Sequence, residues 1–205
     1  MGDRISWLQA LLDVRRRSDG LLQSPQTWET QYAAGRWDFL GTLSELARFS
    51  VLAGYVCHLK PGAAVLDIGC GQGFLLRRLP VSGYSRYAGI DLSASAISNA
   101  REHDSERSTF LVADCESYVP EEPFDVIVFN EVLCCLRHPL HTVERYRRSL
   151  SPGGLLLVSL CTAARGSTAI LWRLKQRYAP LDEVRLTHDA RKVSWVCAAL
   201  RPRED

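Results

Sequence analysis

The densest chemistry in the sequence lies in one run, Asp67-Ile68-Gly69-Cys70-Gly71-Gln72-Gly73-Phe74. Glycines where a strand gives way to a turn let a ligand lie directly on the backbone, because no side chain stands in the way. The spacing is G-x-G-x-G, with an acid two residues before the first glycine. A dinucleotide fingerprint, G-x-G-x-x-G, would need glycine where Phe74 stands, so the pattern points away from nicotinamide cofactors. Further polar residues recur where apolar runs end, at Asp91, at Asp114-Cys115 and at Asn130-Glu131. Carboxylates so placed accept hydrogen bonds from a ligand's hydroxyl or amino groups. Taken alone, Asp91 reads equally as a strand-end cap and Asp114 as a turn residue. His138 and His141 follow the last of these runs, and an imidazole of near-neutral pKa is a natural base for a hydroxyl nucleophile.

Elements able to position these residues can be read from the spacing of apolar side chains. Helical periodicity marks residues 4–17 and 38–59, with Ser24-Pro25 read as a turn between them. Pro61-Gly62 is the sharpest boundary in the chain, and it divides an N-terminal helical lid, residues 1–59, from a core, residues 60–205. Beyond it strands and helices alternate. Strands are expected at 64–68, 87–91, 109–113, 124–129 and 155–160. A helix is expected to begin at 73, and others to cover 93–103 and 141–150. The tail adds a helix at 168–178 and strands at 183–187 and 194–200. The expected fold is α/β, a doubly wound, mostly parallel seven-stranded sheet with helices on both faces.

Composition narrows the partners. With 205 residues, 46% hydrophobic and 23% charged, the chain can bury one large core. A net charge of +2 gives no electrostatic case for a nucleic acid or an anionic membrane. Seven cysteines without a C-x-x-C pair argue against a disulfide framework or a metal site, and suit a reducing, cytoplasmic setting. No apolar run approaches the roughly 18 residues that span a bilayer. Monomer and homodimer both remain open.

The glycine run and its neighbours resemble motif I and the following strand ends of the class I S-adenosylmethionine-dependent methyltransferases, of the bacterial small-molecule type. The resemblance covers about residues 62–160, with Asp91, Asp114-Cys115, Asn130-Glu131 and the turn Leu150-Ser151-Pro152-Gly153-Gly154 falling in step. It implies S-adenosylmethionine (SAM) as cofactor and S-adenosylhomocysteine (SAH) as product. Asp67, Gly69, Cys70, Gly71, Gly73 and Phe74 would form the cofactor loop. Asp91 and Leu92 would meet the ribose, Asp114 and Cys115 the adenine, and Asn130 the methionine end. Asp67 either contacts the cofactor's ammonium or braces the loop. Upstream, Tyr32, Gly35, Arg36-Trp37-Asp38, Glu45 and Arg48 resemble a leader that folds over the cofactor, where Arg48, then Tyr32, would take the carboxylate.

The candidate catalytic groups are Glu131, His138 and His141, with Tyr32 from the lid. Nucleic-acid and protein-glutamine methyltransferases often carry N/D-P-P-Y/F after the fourth strand, but here Asn130 is followed by Glu131-Val132-Leu133. Where quinone-type enzymes often read E-x-L-E-H, this chain has Cys135 in place of histidine. The resemblance thus implies methyl transfer to an oxygen or nitrogen of a small molecule. A protein or RNA methyltransferase and a non-catalytic SAM-binding homologue are the alternatives.

Overall fold

The structure is a computed structural model and describes residues 23–164 and 166–203. The helix expected at 4–17 lies outside them. Seven strands form one sheet: β1 Ala63–Ile68, β2 Tyr84–Asp91, β3 Ser108–Val112, β4 Phe124–Asn130, β5 Leu150–Cys161, β6 Tyr178–His188 and β7 Val193–Pro202. Their order is β3-β2-β1-β4-β5-β7-β6. The first five strands pair in parallel, whereas β7 runs antiparallel to both β5 and β6. The sheet is therefore mixed. Strand order reverses between β1 and β4, and the crevice at their carboxyl ends is where such sheets bind ligands.

β1 and β4 are buried on both faces, which explains their near-continuous apolar sequences. Alternate side chains supply two cores. Val65, Val126, Val128 and Leu157 face Phe49, Leu52, Ala53 and Val56 of helix α2, Leu43–Leu59. Leu66, Ile127, Phe129 and Val158 face Val143 and Tyr146 of α4, Pro139–Arg147, and Leu174 of α5, Ser167–Arg177. Leu52 and Val56 are fully buried, so α2 is packed into the body of the fold.

Several expected elements are displaced, each for a local reason. Ser24-Pro25 opens helix α1, Pro25–Ala33, instead of making a turn: the Ser24 side chain caps Thr27 N–H and Pro25 fills the first helical position. The helix expected over 38–59 is broken: a 3₁₀ turn, Asp38–Gly41, and an extended Thr42 precede α2. The helix expected from Gly73 shrinks to a turn and a 3₁₀ segment, Leu76–Arg78. Pro80 explains this, since it lacks an amide hydrogen and pushes Leu79 to extended geometry, φ −85° and ψ 127°. Helix α3, Ala94–Ala100, stops short of residue 103 and gives way to a 3₁₀ turn, and the glycine turn before the fifth strand is absorbed into β5.

Candidate active site

Gly69, Gly71 and Gly73 all adopt positive φ, 67°, 54° and 75°. At Gly69 a Cβ would come within 2.5 Å of Val132 Cγ2, and at Gly71 within 2.9 Å of the Tyr32 hydroxyl. The loop is thus pressed between the turn after β4 and the tyrosine of α1, so a side chain would be both strained and crowded. Asp91 fixes the loop from the neighbouring strand. Its Oδ2 accepts from Gly71 N–H and its Oδ1 from Ser93 N–H, each at 2.9 Å. Each oxygen keeps a further lone pair for a ligand. Burial pushes the Asp91 carboxyl up, against the pull of these amides.

A cavity of about 570 Å³ opens over this loop. Gly69, Cys70, Gly71, Phe74, Asp91, Leu92, Asp114, Cys115, Asn130, Glu131, Tyr32 and Arg48 all line it. Asp67 does not. Its Oδ2 accepts from the Tyr87 hydroxyl at 2.6 Å, and burial pushes the carboxyl up to about 7. Its Oδ1 is buried without a hydrogen-bond partner. His138 and His141 do not reach the cavity either. Pro139 starts α4 immediately after His138, Thr142, Val143 and Tyr146 take the buried face, and both histidines are left exposed. Neighbouring Arg145 instead holds the loop after β3, donating to the carbonyls of Cys115 and Glu116.

At the opposite end the cavity meets a chain of buried charges. Arg48 is 2% exposed; its Nη2 donates to Glu45 Oε2 at 2.9 Å and its Nη1 to Asn130 Oδ1. Glu45 Oε1 also receives Arg191, from the turn joining β6 and β7, at 2.6 Å. Arg48 Nε is buried without a partner. Glu131 has a φ of 63°, rare for a side chain of its size and a form of strain that clusters at functional sites. Its carboxylate accepts from the Ser159 hydroxyl and from Cys161 N–H, each at 3.0 Å. Burial pushes the Glu131 carboxyl up, while the Arg48 charge pulls it down.

The roof comes from α1 and the turn after it. Trp28, Tyr32, Trp37 and Phe39 form a chain of aromatic contacts, with ring centroids 5.4 to 6.0 Å apart, and all four line the cavity. Two polar ties hold this roof to the sheet side. Glu29 accepts from the hydroxyls of Ser93 and Ser95 at 2.7 and 2.5 Å, and these donors hold its carboxyl below the usual range. Gln72 of the glycine loop donates to Asp38 at 2.8 Å. Trp28, Glu29, Phe39 and Trp195 were not foreseen as site residues. For Trp28 a signal existed, because the Ser24 cap sets a helix on which Trp28 and Tyr32 share a face.

Residues 36–198 match the model of the methyltransferase domain. The chain belongs to that family. It is similar to malonyl-[acyl-carrier protein] O-methyltransferase of Halalkalibacterium halodurans, 39% identical over 103 residues, 47% of this chain and 38% of that one. It is also similar to ribosomal protein L11 methyltransferase of Burkholderia orbicola, 29% identical over 147 residues, 71% of this chain and 45% of the other. The chain thus spans less than half the length of these relatives. Among solved structures, the N-methyltransferase NodS from Bradyrhizobium japonicum WM9 in complex with SAH superimposes with a TM-score of 0.74 at 21% identity, covering 87% of this chain and 98% of that one. That likeness shows the fold.

The cofactor of this methyltransferase family member is SAM, and the residues present fit it. The cradle over Gly69 and Gly71 has no room for a Cβ, Asp91 retains acceptor capacity, and the unpartnered Arg48 Nε suits a carboxylate. No helix among the described residues is long and apolar enough to cross a membrane.

Proposed function

We propose that this methyltransferase-family chain transfers the SAM methyl group to an oxygen or nitrogen of a small molecule held beneath residues 25–41. The observation that carries this reading is the roofed cavity of about 570 Å³, within the usual range for small-ligand sites. Asp91 would hold the ribose hydroxyls, the Asp114-Cys115 loop the adenine, and Arg48, Tyr32 and Asn130 the amino-acid end. SAM supplies a methyl group on a sulfonium, whose sulfur leaves as a neutral thioether and needs no acid. The protein's work is therefore alignment, exclusion of water and, for a protonated acceptor, removal of a proton.

Residues 25–41 would act as the lid, opening where Glu29 and Asp38 meet the core and closing the aromatic face over the ligands. The likeness to a ribosomal protein methyltransferase favours a second reading, a protein acceptor. The roof of Trp28, Trp37 and Phe39 speaks against it, because a protein side chain would have to thread beneath these rings. Seven cysteines without a C-x-x-C pair suit a reducing, cytoplasmic setting.

Isothermal titration tests the reading. SAM and SAH should each bind at one site with micromolar-range affinity, and NAD should give no heat. NAD binding without SAH binding would refute it.

A further inference from the structure

The loops after β1, β2 and β3 are those that would hold the cofactor, which leaves the opposite wall of the cavity to the acceptor. That wall is built from the segment after β4, the end of β5 and the start of β7. Cys134, Cys135, Leu136, Cys161, Ala164 and Trp195 line it. The wall is apolar and thiol-rich, and Glu131 is the carboxylate set into it. Thiols do not answer that charge, since Cys134 and Cys135 turn their S–H groups to the Glu131 carbonyl, at 3.5 and 3.8 Å. Ser159 and Cys161 N–H orient the carboxylate but bring no positive charge. Arg137 also lines the cavity, on its exposed margin.

We propose that the acceptor is a small amine, whose ammonium is held against the Glu131 carboxylate and gives its proton to that group. The assignment rests on the reading of the chain as a methyltransferase. A partly desolvated carboxylate is stabilised by a cation that brings several N–H donors. The faces of Trp195 and Phe39 are already met by Arg48 and Arg191, each 5.9 Å from the ring centroid, and take no part in the assignment. Desolvation also separates an amine from an alcohol or phenol. Removing water raises the pKa of a carboxyl and of a hydroxyl alike, so the mismatch between them persists. It lowers the pKa of an ammonium, so the gap to the carboxyl closes and the proton can cross. One proton passes from R–NH₃⁺ to Glu131; the freed lone pair bonds to the methyl carbon as the carbon–sulfur bond breaks toward sulfur. The products are R–NH₂CH₃⁺, neutral SAH and a protonated Glu131, which returns its proton to water.

The charged and titratable groups around Glu131 are Arg48 and Glu45 of α2, Cys134 and Cys135 of the adjoining turn, Cys161 of β5 and Cys197 of β7. Arg48 is already engaged by Glu45 and Asn130, which leaves Glu131 the group that titrates with the acceptor.

The test uses benzylamine, cyclohexylamine and ethanolamine against benzyl alcohol, phenol, cyclohexanol and ethylene glycol. Calorimetry on the SAH-loaded protein and methyl transfer from labelled SAM are read side by side. The amines should bind and be methylated, and the hydroxyl compounds should do neither. Glu131→Gln should hold SAH within about twofold yet weaken amine binding by about thirtyfold or more, the usual loss when one partner of a buried charge pair is removed. In the wild type, kcat/KM should rise with pH through the raised Glu131 carboxyl pKa and fall again through the amine's own. The variant should lose the rising limb. Amine binding that Glu131→Gln abolishes supports the assignment even for an amine that turns over slowly. Three results overturn it: methylation of the hydroxyl compounds in place of the amines, a kcat/KM that keeps climbing past the amine's pKa, or an SAH-loaded protein that binds no amine. Failure of the wild type to bind SAH would instead refute the cofactor reading.

Discussion

Asp91→Ala is expected to weaken SAH binding at least about a hundredfold while the sheet persists. Two charge-assisted hydrogen bonds to ribose hydroxyls are worth roughly 1.5–3 kcal/mol each, and a factor of ten in affinity corresponds to about 1.4 kcal/mol. The same change removes the acceptor for Gly71 N–H and Ser93 N–H, so the glycine loop and the turn after β2 each lose a tether. Titration of the variant with SAH, alongside circular dichroism, checks both halves of the expectation. Asp91→Asn keeps an acceptor without the charge and should fall between the two. An unchanged dissociation constant in a folded Asp91→Ala protein would show that Asp91 does not face the ribose.

The second large effect is on stability. Glu45 is 2% exposed and answers two buried guanidinium groups, Arg48 at 2.9 Å and Arg191 at 2.6 Å. Removing one partner of a buried ion pair strands the other charge and costs about 3–5 kcal/mol. Glu45→Ala should therefore lower Tm by on the order of 10 °C in a chain of this size. SAH binding should weaken as well, because Arg48 loses one of its two anchors. Scanning calorimetry decides the matter: a Tm within a degree or two of wild type would mean that Arg48 and Arg191 are held by other groups. The more distant Lys175–Glu183 pair, about one-third exposed on both sides, serves as a control. Its removal should cost little, as surface pairs do.

What could be read from the sequence follows the range of the interactions concerned. The glycine loop, Asp91 and the Asp114-Cys115 loop belong to single strand–turn units, so the family resemblance could assign them by position, whereas Asp91 or Asp114 alone reads equally as a cap or a turn residue. β1 and β4 were also legible, because a strand buried on both faces is apolar throughout, whereas β3 was read from its short apolar run although Leu111 and Val112 are exposed. His138 and His141 show where that logic fails. Their position after β4 suggested the site, but direction is set by Pro139 and by which face of α4 meets the sheet. Trp195 was out of reach for the opposite reason. It enters the cavity only because β7 runs antiparallel beside β5 and pairs Trp195 with Cys161, a contact no local pattern announces. The roof lay between these cases: Ser24-Pro25 carried a helix-start signal, but the ties from Glu29 to Ser93 and Ser95 depend on the folded chain.

Hydrogen exchange with and without SAH tests the central claim, a cofactor bound over the glycine loop beneath residues 25–41. Peptides covering 25–41, 69–74, 91–95 and 113–118 should all exchange more slowly when SAH is added, with the largest change in 25–41. Protection confined to the three core loops would remove the lid from the account. SAH binding that protects none of the four would place the cofactor elsewhere and contradict the site itself.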